Sequence, residues 1–290
     1  MRYVIVKHTG AEVGNGDELN GISFGGVGRG TIVENLQVYS TYDDGIEMFG
    51  GAVNFTNFVA LYVRDDSIDI DEGWIGSIDN ALVIQSENDG NHCIEADGIG
   101  SYNESEVARN ADLIAGEGAG WRFREGIWPI INDSLVVSTF AANDTTEADD
   151  NYCLRIDNPE TEAAAGDGDM QLNSVIFACQ ENSKGNAFGA FASEQEWAET
   201  DEGAQFATVA SGAAADASAA ADEDLQLLEG NHKVYSIAWV TSLVDGAAPL
   251  GSTAPTAGDY LGGVGLANDW IAGWTFGIEA SNRAQPLWFE

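Results

Sequence analysis

Short apolar-alternating segments recur along this chain at a near-constant spacing, and that repetition limits its fold more than any other feature. Asp43-Asp44-Gly45-Ile46-Glu47-Met48-Phe49 returns 22 residues later as Asp65-Asp66-Ser67-Ile68-Asp69-Ile70-Asp71, and 23 residues beyond that Asn88-Asp89 precedes Cys93-Ile94-Glu95-Ala96-Asp97. Ile22-Ser23-Phe24-Gly25 comes before these copies, and Trp121-Arg122-Phe123-Arg124 and Leu154-Arg155-Ile156-Asp157 follow at wider spacing that implies inserted loops. A second column runs in phase: Val33-Glu34-Asn35-Leu36, Phe55-Thr56-Asn57-Phe58 and Ile78-Asp79-Asn80-Ala81, with Asn110, Asp133 and Ser174 extending it. Asparagines stacked at the strand spacing of about 4.8 Å can hydrogen-bond up and down the stack, and they tolerate the left-handed backbone of a corner.

Two strand columns per turn, joined by Gly, Asn or Asp corners, predict an all-β fold. It is a right-handed parallel β-helix, a solenoid with turns of about 22–27 residues. A four-stranded propeller blade needs roughly 40 residues, and periodic helical segments are missing from residues 1–195. The expected organisation is a β-helix over 1–195, an Ala- and Asp-rich linker or short helix over 196–232, and a C-terminal segment over 233–290. That last segment regains alternation at Val234-Tyr235-Ser236-Ile237-Ala238-Trp239 and carries Trp270, Trp274 and Trp288. It reads as an aromatic cap on the open end, where a solenoid exposes strand edges and apolar interior, or as a platform for sugar rings.

The chain has 290 residues, with 48 Asp and Glu against 11 Lys and Arg, a formal charge of -37. Such a charge repels nucleic acid and anionic lipid, so neither is an expected partner. No segment approaches the roughly 18 apolar residues of a membrane span. The start, Met1-Arg2-Tyr3-Val4-Ile5-Val6-Lys7, reads as a strand and not as a signal peptide, as if the chain were a mature or shortened form of something longer. Cys93, Cys153 and Cys179 fit no zinc spacing. Cys153 and Cys179, about one turn apart, are the better pair for a bridge, and three unpaired buried thiols are the alternative.

Asp43-Asp44-Gly45-Ile46-Glu47-Met48-Phe49-Gly50-Gly51, Gly120-Trp121-Arg122-Phe123-Arg124-Glu125-Gly126 and Asn268-Asp269-Trp270-Ile271-Ala272-Gly273-Trp274 resemble segments of bacterial surface lipoproteins and secreted β-helix proteins. The resemblance spans most of the chain and implies an exported, envelope-associated protein, extracellular or at the cell surface. It implies no particular chemistry. Relatives of that kind carry an N-terminal secretion signal, a lipidation cysteine and further upstream strands. More distantly the fold looks like that of pectate lyases and polygalacturonases, and a shared fold does not transfer activity.

Strand alternation assigns the outward positions. Ile46 and Met48, Ile68 and Ile70, Ile94 and Ala96, Trp121 and Phe123, Leu154 and Ile156 point inward. Glu47, Asp69, Glu95, Arg122 and Arg155 therefore stack in one outer column, and Phe49, Asp71, Asp97, Arg124 and Asp157 in the next. Carboxylates about 5 Å apart on successive strands repel, so a cation binds between them or their pKa values rise. Asp69, Asp71, Glu95 and Asp97 form the expected calcium site. Solvated repulsion is the bland alternative, and the arginines otherwise serve as salt-bridge partners. The sharper reading is a polyuronate site. In it Glu47, Phe49, Arg122, Arg155 and Asp157 hold the sugar chain, and Asp71, Asp97 and Arg124 carry lyase or hydrolase chemistry. A glycan-binding or cation-binding surface protein and a subunit assembling end to end are the noncatalytic alternatives. His8, His92 and His232 match no zinc motif, and Gly25-Gly26-Val27-Gly28-Arg29-Gly30 lacks a P-loop lysine, so no nucleotide or organic cofactor is expected.

Overall fold

The computed structural model describes residues 1–15, 17–86, 90–100, 109–115, 119–138, 152–179, 181–206, 225–227, 235–237, 262–264, 269–283 and 287. Two parallel sheets stack side by side. The larger runs β1 (Arg2–Lys7), β3 (Ile32–Tyr39), β5 (Asn54–Leu61), β7 (Ser77–Ile84), β9 (Arg109–Ala115), β12 (Leu135–Ser138), β15 (Ile176–Cys179) and β17 (Gln205–Phe206). Between them β11 (Ile130–Asn132) pairs with β14 (Gln171–Asn173) and with β9. The smaller runs β2 (Ile22–Gly25), β4 (Ile46–Phe49), β6 (Ile68–Asp71), β8 (His92–Asp97), β10 (Ala119–Arg124), β13 (Tyr152–Ile156) and β16 (Glu181–Ser183). Alternate strands of the chain enter alternate sheets, which is the coiling of a parallel β-helix. Outside the stack, β18 (Leu225–Leu227) and β19 (Tyr235–Ile237) form an antiparallel pair.

The register follows the repeat. Ile46 pairs with Ile68, Ile68 with Ile94, Ile94 with Trp121 and Trp121 with Leu154. These residues and the alternate ones Met48, Ile70, Ala96, Phe123 and Ile156 are buried in one core with Leu36, Phe55, Phe58 and Phe177 from the large sheet. Each such side chain contributes about 1.5–3 kcal/mol by leaving water. The asparagine column also forms: Asn57 Nδ2 donates to Asn35 Oδ1 at 3.0 Å, and Asn80 Nδ2 donates to Asn57 Oδ1 at 3.1 Å. All three sit at left-handed φ values of 56, 63 and 63°, as do Asp133 and Ser174 further along. The Asn110 side chain and Asn88-Asp89 lie outside the described residues.

Inserted loops become short helices, α1 (Pro159–Gly166) and α2 (Glu194–Thr200), and the Ser193 side chain caps the second by accepting from Glu196 N. Cys153 and Cys179 form a disulfide with Cα atoms 5.8 Å apart, and Cys93 is free and buried. The bridge joins the two sheets across the interior and does not run along one column, because Tyr152 is already in register with Glu181 in the small sheet.

The described part of the C-terminal aromatic segment covers the outer face of the large sheet, and Trp239 and Trp288 lie outside the described residues. Val264, Ile271, Ile278 and Leu287, with Trp270 and Trp274, pack on Val59, Leu61, Leu82 and Ile84, the outward residues of β5 and β7. The physical reason is in the strands themselves. Phe58-Val59-Ala60-Leu61 and Ala81-Leu82-Val83-Ile84 are continuous apolar runs, the mark of a sheet covered on both faces. This strap is fixed by Gln37, which is fully buried: its Nε2 donates to Phe276 O at 2.7 Å and its Oε1 accepts from Phe276 N at 2.7 Å.

Candidate functional site

Where the chain leaves the large sheet for the small one, the ladder breaks and backbone amides need other partners. Aspartates supply them turn by turn. Asp44 Oδ1 accepts from Asp66 N at 3.1 Å, and Asp66 Oδ1 accepts from His92 N at 2.6 Å. The corner is tight: a Cβ on Gly45 would stand 2.5 Å from Ser67 O, so only glycine fits between the aspartate and the strand. Asp44 and Asp66 are consequently buried at the foot of the outer column.

The column itself has the predicted order, Glu47 beside Asp69, Asp69 beside Glu95, Glu95 beside Arg122 and Arg122 beside Arg155. At its acidic end Asp44, Glu47 and Asp69 bring carboxylate oxygens within 4.8 Å of one another, and Asp43, Asp44 and Asp65 do the same, with Asp44 common to both groups. Burial, then the charges of Asp66, Asp43 and other acids, pushes Asp44 up to about 9. Burial, then Asp44 and Asp66, pushes Asp69 up to about 11. Burial likewise raises Glu47 to about 7, although the Asn20 amide donates to it and opposes the shift. Oxygen donors alone, several of them anionic and partly open to solvent, are the donor set of a hard divalent cation such as calcium.

The other end is balanced within the protein. Arg122 Nη1 donates to Glu95 Oε1 at 2.8 Å and its Nε to Asp157 Oδ2 at 3.0 Å. Arg124 donates to Glu95 Oε2 at 3.2 Å and to Asp97, and Arg155 Nε stands 2.5 Å from Asp157 Oδ2. Burial pushes the Glu95 carboxyl upward, but His92, Arg124 and Arg122 outweigh it and hold it below its ordinary value. Asp157 is held down against burial by Arg155 and Arg122. Asp97 rests at about 6, raised by burial and restrained by Arg124.

Of the four expected cation ligands, Asp69 joins the cluster with Asp44 and Glu47, the latter expected to touch sugar, and Glu95 lies in a further group with Asp66 and His92 whose ligand atoms also stand within 4.8 Å of one another. Glu95 and Asp97 are engaged by arginines, and Asp71 Oδ1 accepts from Glu72 N at 2.6 Å. Phe49 pairs with Asp71 in register and is 40% exposed, so its ring is available to a ligand. Arg122, Arg124, Arg155 and Asp157 come together as one ion-pair network. Asp43, Asp44, Asp65 and Asp66 are the residues that alternation missed. They precede two of the repeat strands, β4 and β6, but a corner has no period and so gives no facing. His92 is buried beside Asp66, with Nδ1 2.7 Å from Oδ1.

These features define a parallel β-helix with a carboxylate cluster and an ion-pair ladder on one outer face. The family described as a pectate-lyase like beta helix domain matches residues 1–222, and the chain belongs to it. Comparison with curated proteins and with solved structures gave no match.

Proposed function

We propose that this is an extracellular or cell-surface β-helix protein that holds a divalent cation, calcium by its oxygen donors, and uses it to bind acidic glycan. The carrying observation is the convergence of Asp44, Glu47 and Asp69, with Asp43 and Asp65 adjoining, where the leading influences on Asp44 and Asp69 all oppose ionisation. A bound cation reverses that balance. A protein of net charge -37 repels a polyanionic glycan, and a cation at the surface offers it a local point of attraction. Arg122 and Arg124 on β10, two strands beyond β6, and Arg155 on β13, three beyond it, would engage sugar carboxylates further along the glycan chain, and Phe49 offers a ring face. The family and the disulfide, which persists in oxidising compartments, support export.

A second reading, lyase or hydrolase action on the same glycan, draws on Asp97. Its value of about 6 suits a general base near neutral pH, while Asp97 and Glu95 keep Arg124 firmly protonated as an electrostatic stabiliser, not a base. Incubating the calcium-loaded protein with a polyuronate separates the readings. Retention on the polymer that is lost with chelator supports the binding function, and new absorbance from unsaturated ends or new reducing sugar assigns an enzyme. Neither binding nor cleavage sinks both.

A further inference from the structure

The strap covers β5 and β7 of the large sheet, and the acidic cluster lies on β4, β6 and the corners that lead into them. Strap residues cover β5 and β7 and reach Tyr39, the last residue of β3. Tyr39 stands four positions before Asp43, and Leu61, the last residue of β5, stands four before Asp65. Tyr62 carries the contact into the corner itself. It packs on the strap cluster and sits edge-on to Tyr39 at 6.0 Å, while Tyr39 meets Phe276 at 5.0 Å. The strap is held closely there. A Cβ on Gly277, whose φ is +85°, would stand 2.7 Å from Tyr39 Cε2 and 2.9 Å from Leu61 Cδ2. Lys7 over the Phe276 ring at 3.8 Å and Tyr3 against Trp274 at 6.0 Å extend the attachment to β1.

Two short connectors therefore run from strap-covered strand ends to carboxylates that repel one another. We propose that the strap is a brace for the acidic corners, so that its docking and cation binding at Asp44, Glu47 and Asp69 strengthen each other. This rests on the cation reading above. The brace acts through the positions of Tyr39, Tyr62 and Leu61 and touches no ligand itself. Because coupling between two sites is reciprocal, the cation must tighten the strap by the same factor that the strap tightens the cation.

Gly277→Ala lifts the strap at its closest approach, and Phe276→Ala removes the ring from Tyr39 and Lys7 as a second, sterically opposite variant. Calcium affinity of the full chain is measured by calorimetry, with amide exchange followed at residues 41–44, 62–67 and 269–283. The expected result is affinity weakened by about fivefold or more in both variants, with melting still cooperative. Exchange should be faster at both corners even in chelator, and calcium should slow exchange of the wild-type strap. Unchanged affinity and unchanged corner exchange, with the strap itself exchanging faster, would overturn the brace. Should wild type bind no calcium, the cation reading fails by itself, and corner exchange in chelator still decides whether the strap braces the corners.

Discussion

The two ends of the outer column share backbone geometry, register and strand spacing, and they differ in how their charges are met. Around Asp44, Glu47 and Asp69 the neighbours of each carboxylate are chiefly other carboxylates, and all three are shifted upward. Around Glu95 and Asp157 the neighbours include cations, His92, Arg124 and Arg122 at the first and Arg155 and Arg122 at the second, and both acids are shifted downward. A β-helix thus sets the positions of side chains and leaves their electrostatic balance to the sequence. One end carries its counter-ions in the chain; at the other, carboxylate faces carboxylate, the arrangement from which we propose cation binding.

The largest expected effect is an opposite pH response of the two ends. Raised carboxyls hold more protons folded than unfolded, so in chelator the stability of the acidic end falls as pH rises from about 4 through 7 toward the values of about 9 and 11 at Asp44 and Asp69. Glu95 and Asp157 act the other way: their contribution is present above the ordinary carboxylate range and is lost as pH falls below it. Thermal melts from pH 4 to 9 should show stability declining on the alkaline side in chelator, and calcium should remove the decline. A chelated protein whose melting point climbs steadily over that range would erase the distinction.

Next in size is Glu95→Ala, which takes the shared partner from Arg122 and Arg124 and should cost about 3–4 kcal/mol in denaturant unfolding. Asp71→Asn, outside both groups, should cost little. Reduction of Cys153–Cys179, which closes a separation of 26 residues beside Arg155, should cost about 3 kcal/mol, read as a shift of the unfolding midpoint with and without reductant. Asn57→Ala, on β5 of the large sheet, should cost less than the loss of Glu95 or of the disulfide. It deletes two rungs of the asparagine ladder and places alanine at φ 63°, for about 2 kcal/mol by the same assay.

Much of this was legible in the sequence wherever a period governed it. Ile46, Ile68 and Ile94 fix the strand phase, so the order Glu47, Asp69, Glu95, Arg122, Arg155 follows by alternation. Asn35, Asn57 and Asn80 were readable for the same reason. Corners obey no such rule. Asp44 and Asp66 turn toward the amides of the next turn, and that bond, not strand parity, sets their place. The strap contact spans 239 residues from Gln37 to Phe276, beyond the reach of any local pattern. Its trace in the sequence was the unbroken apolar run at the ends of β5 and β7.

A calorimetric calcium titration of chelator-treated protein at neutral pH, comparing wild type, Asp44→Asn/Asp69→Asn and Asp71→Asn/Asp97→Asn, tests the proposed cation site most directly. Binding in wild type and in the second variant, lost in the first, is the predicted result. No binding by wild type, or binding lost only with Asp71 and Asp97, would contradict a cation site at the acidic end.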